Sequence, residues 1–286
     1  MEKWSWGLLL ALVLMLGTAS ASVSEVRKQV EASMLVTGQV MIETDGAVSE
    51  VVIDQRDRLP PAAIDLIERS AAGWRFEPIL VDGQPRAART PMSVRLVARR
   101  GDDETYLLSI ASGHFGDVPG DELGADSVRS ADLRPPTYPA SALAMGAKGV
   151  VYVLVRIGRD GKVADAFAEQ VNLGVVGHER EMQEMREILS RSALRAARRW
   201  MFIPPTEGDS ADENFWFVRV PVEFAFVGEQ QPEYGEWSAY VPGPRQTPPW
   251  RALDLDGFDI PPDALIAGGF YEIGKSRKLL TQLDGG

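Results

Sequence analysis

Hydrophobic positions in this chain recur with two periods, and the order in which those periods follow one another is written out twice. In the first passage, residues 38–42 and 48–53 alternate apolar and polar side chains on either side of Asp45-Gly46, a dipeptide suited to the positive φ angles of a tight hairpin turn. Pro60 and Pro61 then mark a helix start. Ile64, Ile67, Ala71 and Trp74 recur at three- and four-residue spacing and give that helix one buried face. Gly73 ends it, after which Trp74 and Phe76 flank an outward Arg75 with the period of a strand. Asp82-Gly83 predicts a second turn. Met92, Val94 and Leu96 alternate with Ser93 and Arg95 in a last strand with one face inward.

The second passage repeats the plan. Pro135-Pro136-Thr137-Tyr138-Pro139 leads into a short apolar segment, Gly149 opens a strand with Val151, Val153, Val155 and Ile157 on one face, and Asp160-Gly161 is the turn. Aligned on the two Asp-Gly pairs, Val40 falls on Val155, Ile42 on Ile157 and Val48 on Val163. A longer helix follows, with Met182, Met185, Leu189, Ala193, Ala196 and Ala197 on its apolar side and Arg195, Arg198 and Arg199 at the end that favours positive charge. Trp200, Phe202 and Pro204 then take the places of Trp74, Phe76 and Pro78.

The closing strand of the second passage runs over 215–226, with Trp216, Val218, Val220, Val222, Phe224 and Phe226 on one face and Pro221 within it; Pro91 holds the equivalent place in the first. A proline cannot donate to a sheet ladder, so each of these strands is expected at a sheet edge or at a bulge. Such an edge can be extended by a partner's strand, by the other passage or by a second subunit. The expected fold class is α+β, two units each made of a small antiparallel sheet with one helix packed on it. The divisions are 36–98 for the first unit, 99–134 for a linker or long loop carrying a short strand at 106–110, 135–227 for the second unit, and 228–286 for a Pro- and aromatic-rich extension. Tyr234, Trp237, Tyr240 and Trp250 are too dense for a solvated linker and predict an extension that lies over the domains, with a helical turn at 262–267 and a short terminal helix at 275–283.

At the start, Lys3 precedes an apolar run from Trp6 to Leu16 and the small residues Thr18-Ala19-Ser20-Ala21. This predicts a cleaved signal peptide over 1–21 and an exported chain beginning near Ser22. The run falls short of the roughly 20 apolar residues that span a bilayer, and the alternative is an uncleaved inner-membrane anchor. A net charge of -11 argues against a phosphate-tracking surface and thus against nucleic acid as a partner. The absence of cysteine removes disulfides, thiol catalysis and Cys-zinc sites.

No phosphate loop, nucleophile elbow or His-Glu-x-x-His occurs. His114 reads as a loop residue, and His178-Glu179-Arg180-Glu181 as the solvated start of the long helix. Asp102-Asp103 reads as loop surface. Asp254, Asp256 and Asp259 around Gly257 do not make a calcium loop, because Ile260-Pro261-Pro262 interrupts the spacing of oxygen ligands. No catalytic residue, cofactor or metal site is expected, and the chain does not read as an enzyme.

Tyr138-Pro139, Gly149, Asp160-Gly161, the 193–197 Ala-Leu-Arg-Ala-Ala run, Trp200-x-Phe202-x-Pro204 and the closing Val220-Pro221-Val222-Glu223-Phe224 fall in the order seen in the C-terminal domain of the TonB family, which the second passage resembles; the first resembles it in diluted form. The resemblance implies a periplasmic protein-interaction module that takes a partner segment by strand addition at a sheet edge. The implied partner is a cell-envelope protein such as an outer-membrane protein, with self-association as the other possibility. The edge residues would be Trp216, Val218, Val220, Pro221, Val222 and Phe224. Two alternatives accompany it: an energy transducer for outer-membrane transport with an uncleaved N-terminal anchor, and a structural or self-associating envelope protein.

Overall fold

A computed structural model describes residues 31–101, 105–118, 123–229, 232–250 and 257–284. The signal-peptide expectation, Asp102-Asp103, Asp254 and Asp256 lie outside these residues.

The first passage builds strands β1 (Glu31–Ile42) and β2 (Val48–Ile53), helix α1 (Pro61–Gly73), a small hairpin of β3 (Leu80–Val81) and β4 (Gln84–Pro85), then β5 (Ala88–Arg100) and β6 (Tyr106–Phe115). β1 lies between β2 and β5, and β6 pairs with the far side of β5. The connector expected over 99–134 is therefore largely ordered. It supplies the ten-residue β6 and the short β7 (Arg129–Asp132). His114 is accordingly a buried strand residue and not a loop residue. β5 is an interior strand and not an edge: its ladder with β6 begins at Met92↔Phe115, next to Pro91, whose carbonyl accepts from Gly116 N–H, so no proline N–H is called upon.

The second passage builds helix α2 (Ala140–Ala144), strands β8 (Gly149–Gly158) and β9 (Val163–Leu173), helix α3 (Glu179–Ala197), β10 (Met201–Ile203) and β11 (Phe215–Phe224). β10 pairs with β7, and β8 lies between β9 and β11. In the tail, β12 (Ser238–Tyr240) continues the first sheet beside the start of β1, and β13 (Tyr271–Glu272) joins β11 in the second. The helical turn expected at 262–267 is a 3-10 turn at Pro262–Ala264. The expected terminal helix at 275–283 is instead irregular chain. It lies along the Trp74–Phe76 segment, with Leu279 bridged to Phe76, Leu280 N–H on the Arg75 carbonyl and Trp74 Nε1–H on the Leu283 carbonyl at 3.0 Å.

Each sheet has a hydrophobic core under its long helix. Val36, Val40, Ile42, Ile67, Trp74, Phe76, Met92, Val94 and Leu96 fill one; Val151, Val153, Val155, Ile157, Leu189, Trp200, Phe202 and Val218 fill the other. Both cores use one clamp. Gly46 (φ 83°) and Gly161 (φ 75°) close the two Asp-Gly turns, and each accepts a backbone bond from the second aromatic of the Trp-x-Phe motif, Phe76 N–H to Gly46 at 2.8 Å and Phe202 N–H to Gly161 at 2.9 Å. A Cβ at Gly46 would lie 1.9 Å from the Phe76 carbonyl oxygen, and one at Gly161 2.2 Å from that of Phe202. The turn has to be glycine because the incoming strand sits where a side chain would be.

The helix-free faces of the two sheets are buried as well, which the alternation in β5 did not show. Ser93, 0% exposed, donates to the Ala264 carbonyl at 2.6 Å, and Arg95 Nε donates to the Asp263 carbonyl at 2.8 Å. From the second sheet Gln170 and Asn172 donate to Asp263 Oδ1 at 3.2 and 2.5 Å, and Tyr240 of β12 donates to the same oxygen. Asp263 is thus the meeting point of both sheets and the tail. Burial pushes the Tyr152 phenol beside it up to about 12, and pushes Tyr240 upward also.

Gly161→Ala should lower unfolding free energy by about 2–4 kcal/mol, from the positive φ and the displaced Phe202 bond. Gly83→Ala (φ 72°, open space around the Cβ position) should cost only about 1 kcal/mol; urea unfolding of both variants checks the difference. Asp263→Ala should cost about 2–4 kcal/mol by leaving buried donors without an acceptor, and Asp263→Asn less than half of that. The same urea curves decide it.

Candidate functional site

β11 carries the sequence Phe-Trp-Phe-Val-Arg-Val-Pro-Val-Glu-Phe, whose β-branched and aromatic residues suit a strand covered on both faces. Trp216, Val218, Val220, Val222 and Phe224 all point into the core under α3, each at most 7% exposed. Pro221 lies among them in the strand, opposite Tyr152 of β8. Contact from outside must therefore be made through the backbone, not through the apolar side chains that mark the strand in the sequence. Phe226, expected on the same face, lies past the end of the strand with its ring 5.6 Å from that of Tyr138.

On the other face Arg219, 5% exposed, makes a two-pronged ion pair with Glu169 at 2.8 and 3.0 Å and holds the Gly257 and Phe258 carbonyls at 2.9 and 2.7 Å. Arg245 closes on the same carboxylate at 2.7 Å. Glu169 reaches this position through a bulge: Tyr152 pairs with Gln170 and Val153 with Ala168, so Glu169 is the extra residue and its side chain is turned onto the tail side. Burial draws the Arg219 guanidinium below its usual range, and the Glu169 charge opposes this. The sequence offered no signal for this pair, since the one-residue bulge breaks the period of two that would have shown which face Glu169 takes.

The outward edge of β11 follows from the hydrogen bonds. Phe217 O accepts from Ile273 N–H at 2.9 Å, so alternation also turns the backbone groups of Arg219, Pro221 and Glu223 away from β8. β13 occupies the first part, with Arg219 opposite Tyr271 and Val218 opposite Glu272. Continuing that register would put Gly269 opposite Pro221, which has no N–H to give. There the tail leaves the strand, and a cleft of about 380 Å³ opens between Val220, Pro221, Val222 and Glu223 on one side and Ala267, Gly268 and Gly269 on the other, with Leu133, Pro135, Pro136 and Trp200 around it. Among the described residues Pro221 and Glu223 have no backbone bond on this side.

A second cleft of about 320 Å³ lies across β13, lined by His114, Ser127, Arg129, Phe270 and Lys275 among others. Burial lowers the basicity of His114, whose Nε2 is 3.0 Å from the Asp117 carbonyl oxygen and whose ring meets Tyr271 edge-on at 4.7 Å. Burial likewise raises the Glu272 carboxyl, against a 2.9 Å bond donated by Val128 N–H. His178 precedes α3 and its N–H donates to Glu181. Among the described residues no group of three or more His, Cys, Asp or Glu could hold a metal, and no helix is long and apolar enough to cross a membrane.

Of the motif residues named from the sequence, Trp200 lines the cleft beside this edge, and the others pack the cores and turns. Trp200 Nε1–H donates to the Arg134 carbonyl at 2.8 Å, Phe202 meets Phe270 edge-on at 5.5 Å, and Tyr138 packs edge-on to Phe224 at 5.7 Å and donates to the Ala147 carbonyl. Pro139 precedes α2, and Pro204 sits beside the Gly161 turn. Asp160 Oδ1 accepts from Lys162 N–H at 3.1 Å. A Cβ at Gly149 would fall 2.1 Å from the Asn172 carbonyl oxygen, so the strand crossing requires glycine there. In the first passage Trp74 and Phe76 are buried, while Pro78 is exposed.

No protein-family profile and no solved structure matches the chain. Among curated proteins it is similar to protein tonB2 of Pseudomonas aeruginosa, 29% identical over 89 residues, which is 31% of this chain and 28% of that protein. It is also similar to protein TonB from two strains of Xanthomonas campestris pv. campestris, 31% identical over 106 residues, or 36% of this chain and 41% of those proteins. The chain spans less than half the length of these relatives. Over about a third of its length, the chain is a distant homologue of TonB proteins.

Proposed function

We propose that this is a periplasmic protein-interaction module of TonB type, in which two units of one ancestral plan stand back to back and the second binds an extended segment of an envelope partner by strand addition at β11. The observation that carries this reading is the unpaired backbone at Pro221 and Glu223 beside an apolar cleft. An edge with free backbone groups is a template for one more strand. The kinship with TonB proteins supports an envelope partner, and the leader-like residues 1–21 support the compartment. The shared glycine clamp of the two passages supports their common plan. In the first unit β6 covers the equivalent strand from Met92 to Arg100, including Ser93 and Arg95, which stand where Pro221 and Glu223 do in the second.

Glu223 is exposed, so a photo-crosslinking residue placed there in the native host tests the reading directly. An adduct with a second envelope protein is expected, with none from Glu50 on the exposed edge of β2. Products confined to the chain itself would sink the proposal, and an adduct of twice the chain's mass would redirect it to self-association. Glu223→Pro, which deletes one edge N–H, should weaken capture roughly three- to tenfold while leaving the unfolding midpoint nearly unchanged.

A further inference from the structure

The β11 edge is only half available. From Phe217 to Arg219 the chain's own β13 covers it, and the cleft at Pro221–Glu223 is the remainder. A guest confined to the remainder could make only the bonds offered by the Pro221 carbonyl and the Glu223 backbone. A strand of ordinary length, about five or six residues, needs the whole of 217–223.

We propose, building on the strand-addition reading, that the segment Tyr271–Ile273 is an intrachain placeholder on the β11 edge, displaced when a partner's extended segment pairs along 217–223. Three features of the arm separate it from the fixed strands. Its ladder is two residues long, whereas β8 pairs with the other side of β11 over ten. It is flanked by glycines in the left-handed region, Gly268 (φ 102°) with open space about it and Gly274 (φ 90°), which can absorb a change of direction without steric cost. It also borders the cleft of about 320 Å³, which Tyr271 and Glu272 line, so on that side it lacks the close packing that fixes a core strand.

What holds the arm is compatible with release as a unit. The Tyr271 hydroxyl bonds back to Ile266, accepting from its N–H at 2.8 Å and donating to its carbonyl at 3.2 Å, and so ties the arm to the adjoining tail rather than to β11; these two bonds break when the arm is released. The links outward include the short ladder, the Ile273 to Phe217 bond, the Val128 to Glu272 bond, the contacts of the Tyr271 ring with Tyr152, Leu265 and His114, the Phe270 ring against Phe202, and Ile273 against the Phe217 and Phe258 cluster. The segments on both sides are anchored independently, by Asp263 before the arm and by Leu279 and Leu283 on the first core after it. Release of 268–274 therefore leaves the ends of the segment in place. Pro221 sets the point to which the arm can advance along the edge.

Amide hydrogen exchange on the full chain tests the first half of the proposal. The Ile273 N–H should exchange at least ~100-fold faster than the Val220 N–H in the β8 ladder, because the arm opens without the sheet. Equal protection of the two would overturn the placeholder. The second half is tested by a lock. Val218 and Glu272 face each other as a non-hydrogen-bonded pair, the spacing that suits a cross-strand disulfide, and the chain has no cysteine to compete.

In Val218→Cys/Glu272→Cys, oxidation should cut crosslinking from Glu223 at least tenfold and reduction should restore it. Unchanged capture in the oxidised form would show that the partner uses the cleft alone, and displacement would be wrong. Fast exchange at Ile273 without capture in either redox state or in the unsubstituted chain would mean that the arm opens but strand addition fails.

Discussion

The course of the tail across the two sheets hangs on one buried polar seam. A sheet with a helix on one face ordinarily leaves its other face to water, yet here both second faces are closed over by residues 257–265 of the tail. The cost of burying so many polar groups is met by two acceptors, the Asp263 carboxyl and the Glu169 carboxylate. Asp263 draws donors from both sheets; Glu169 holds Arg219 and Arg245, which in turn hold the tail's carbonyls. A buried ion pair is a weak source of net stability, since desolvation offsets much of the attraction. Its value here is registry: it decides where the tail lies, and thereby where β13 meets β11.

The parts legible in the sequence are those governed by short-range rules. The Asp-Gly turns, the extent of α1, the apolar faces of α3 and β8, and the inward Trp and Phe of both motifs follow from periodicity and turn chemistry, and each sits where its pattern puts it. What was not legible depends on distant partners. Ser93 and Arg95 read as solvent-facing because they are polar, but a polar side chain is equally at home inside when a backbone carbonyl waits for it. The strand expected at 106–110 extends to Phe115, and its second half was concealed because its two faces meet different things, Ile110 and Phe115 the core, Ser112 and His114 the seam, so no clean alternation emerges. The terminal segment reads as a weak helix, but its chain is drawn out along the Trp74–Phe76 strand by bonds that no local rule contains.

The site divides along the same line. Pro221 predicts an edge strand, whereas β11 is paired on both sides near Arg219 and has unbonded outward backbone only from Pro221 onward among the described residues. That the apolar residues beside it serve the core, and that Phe217, Arg219, Pro221 and Glu223 turn their backbone outward, required the register. That the chain lays its own strand over half of the edge required the tail to be placed in space. Nothing in Tyr271-Glu272 as a dipeptide suggests a strand.

The two glycine clamps carry a consequence for the order of events in folding. In each passage the hairpin turn is completed by a bond from a phenylalanine that lies beyond the helix, so the turn cannot take its final form until the helix has been laid down and the chain has returned. Local hairpin closure, normally a microsecond affair, is thereby tied to a long-range docking step. Each sheet and its helix should assemble in a single concerted event around the Trp-x-Phe segment, and the tail, whose partners lie on both finished sheets, can find its groove only after the two have formed.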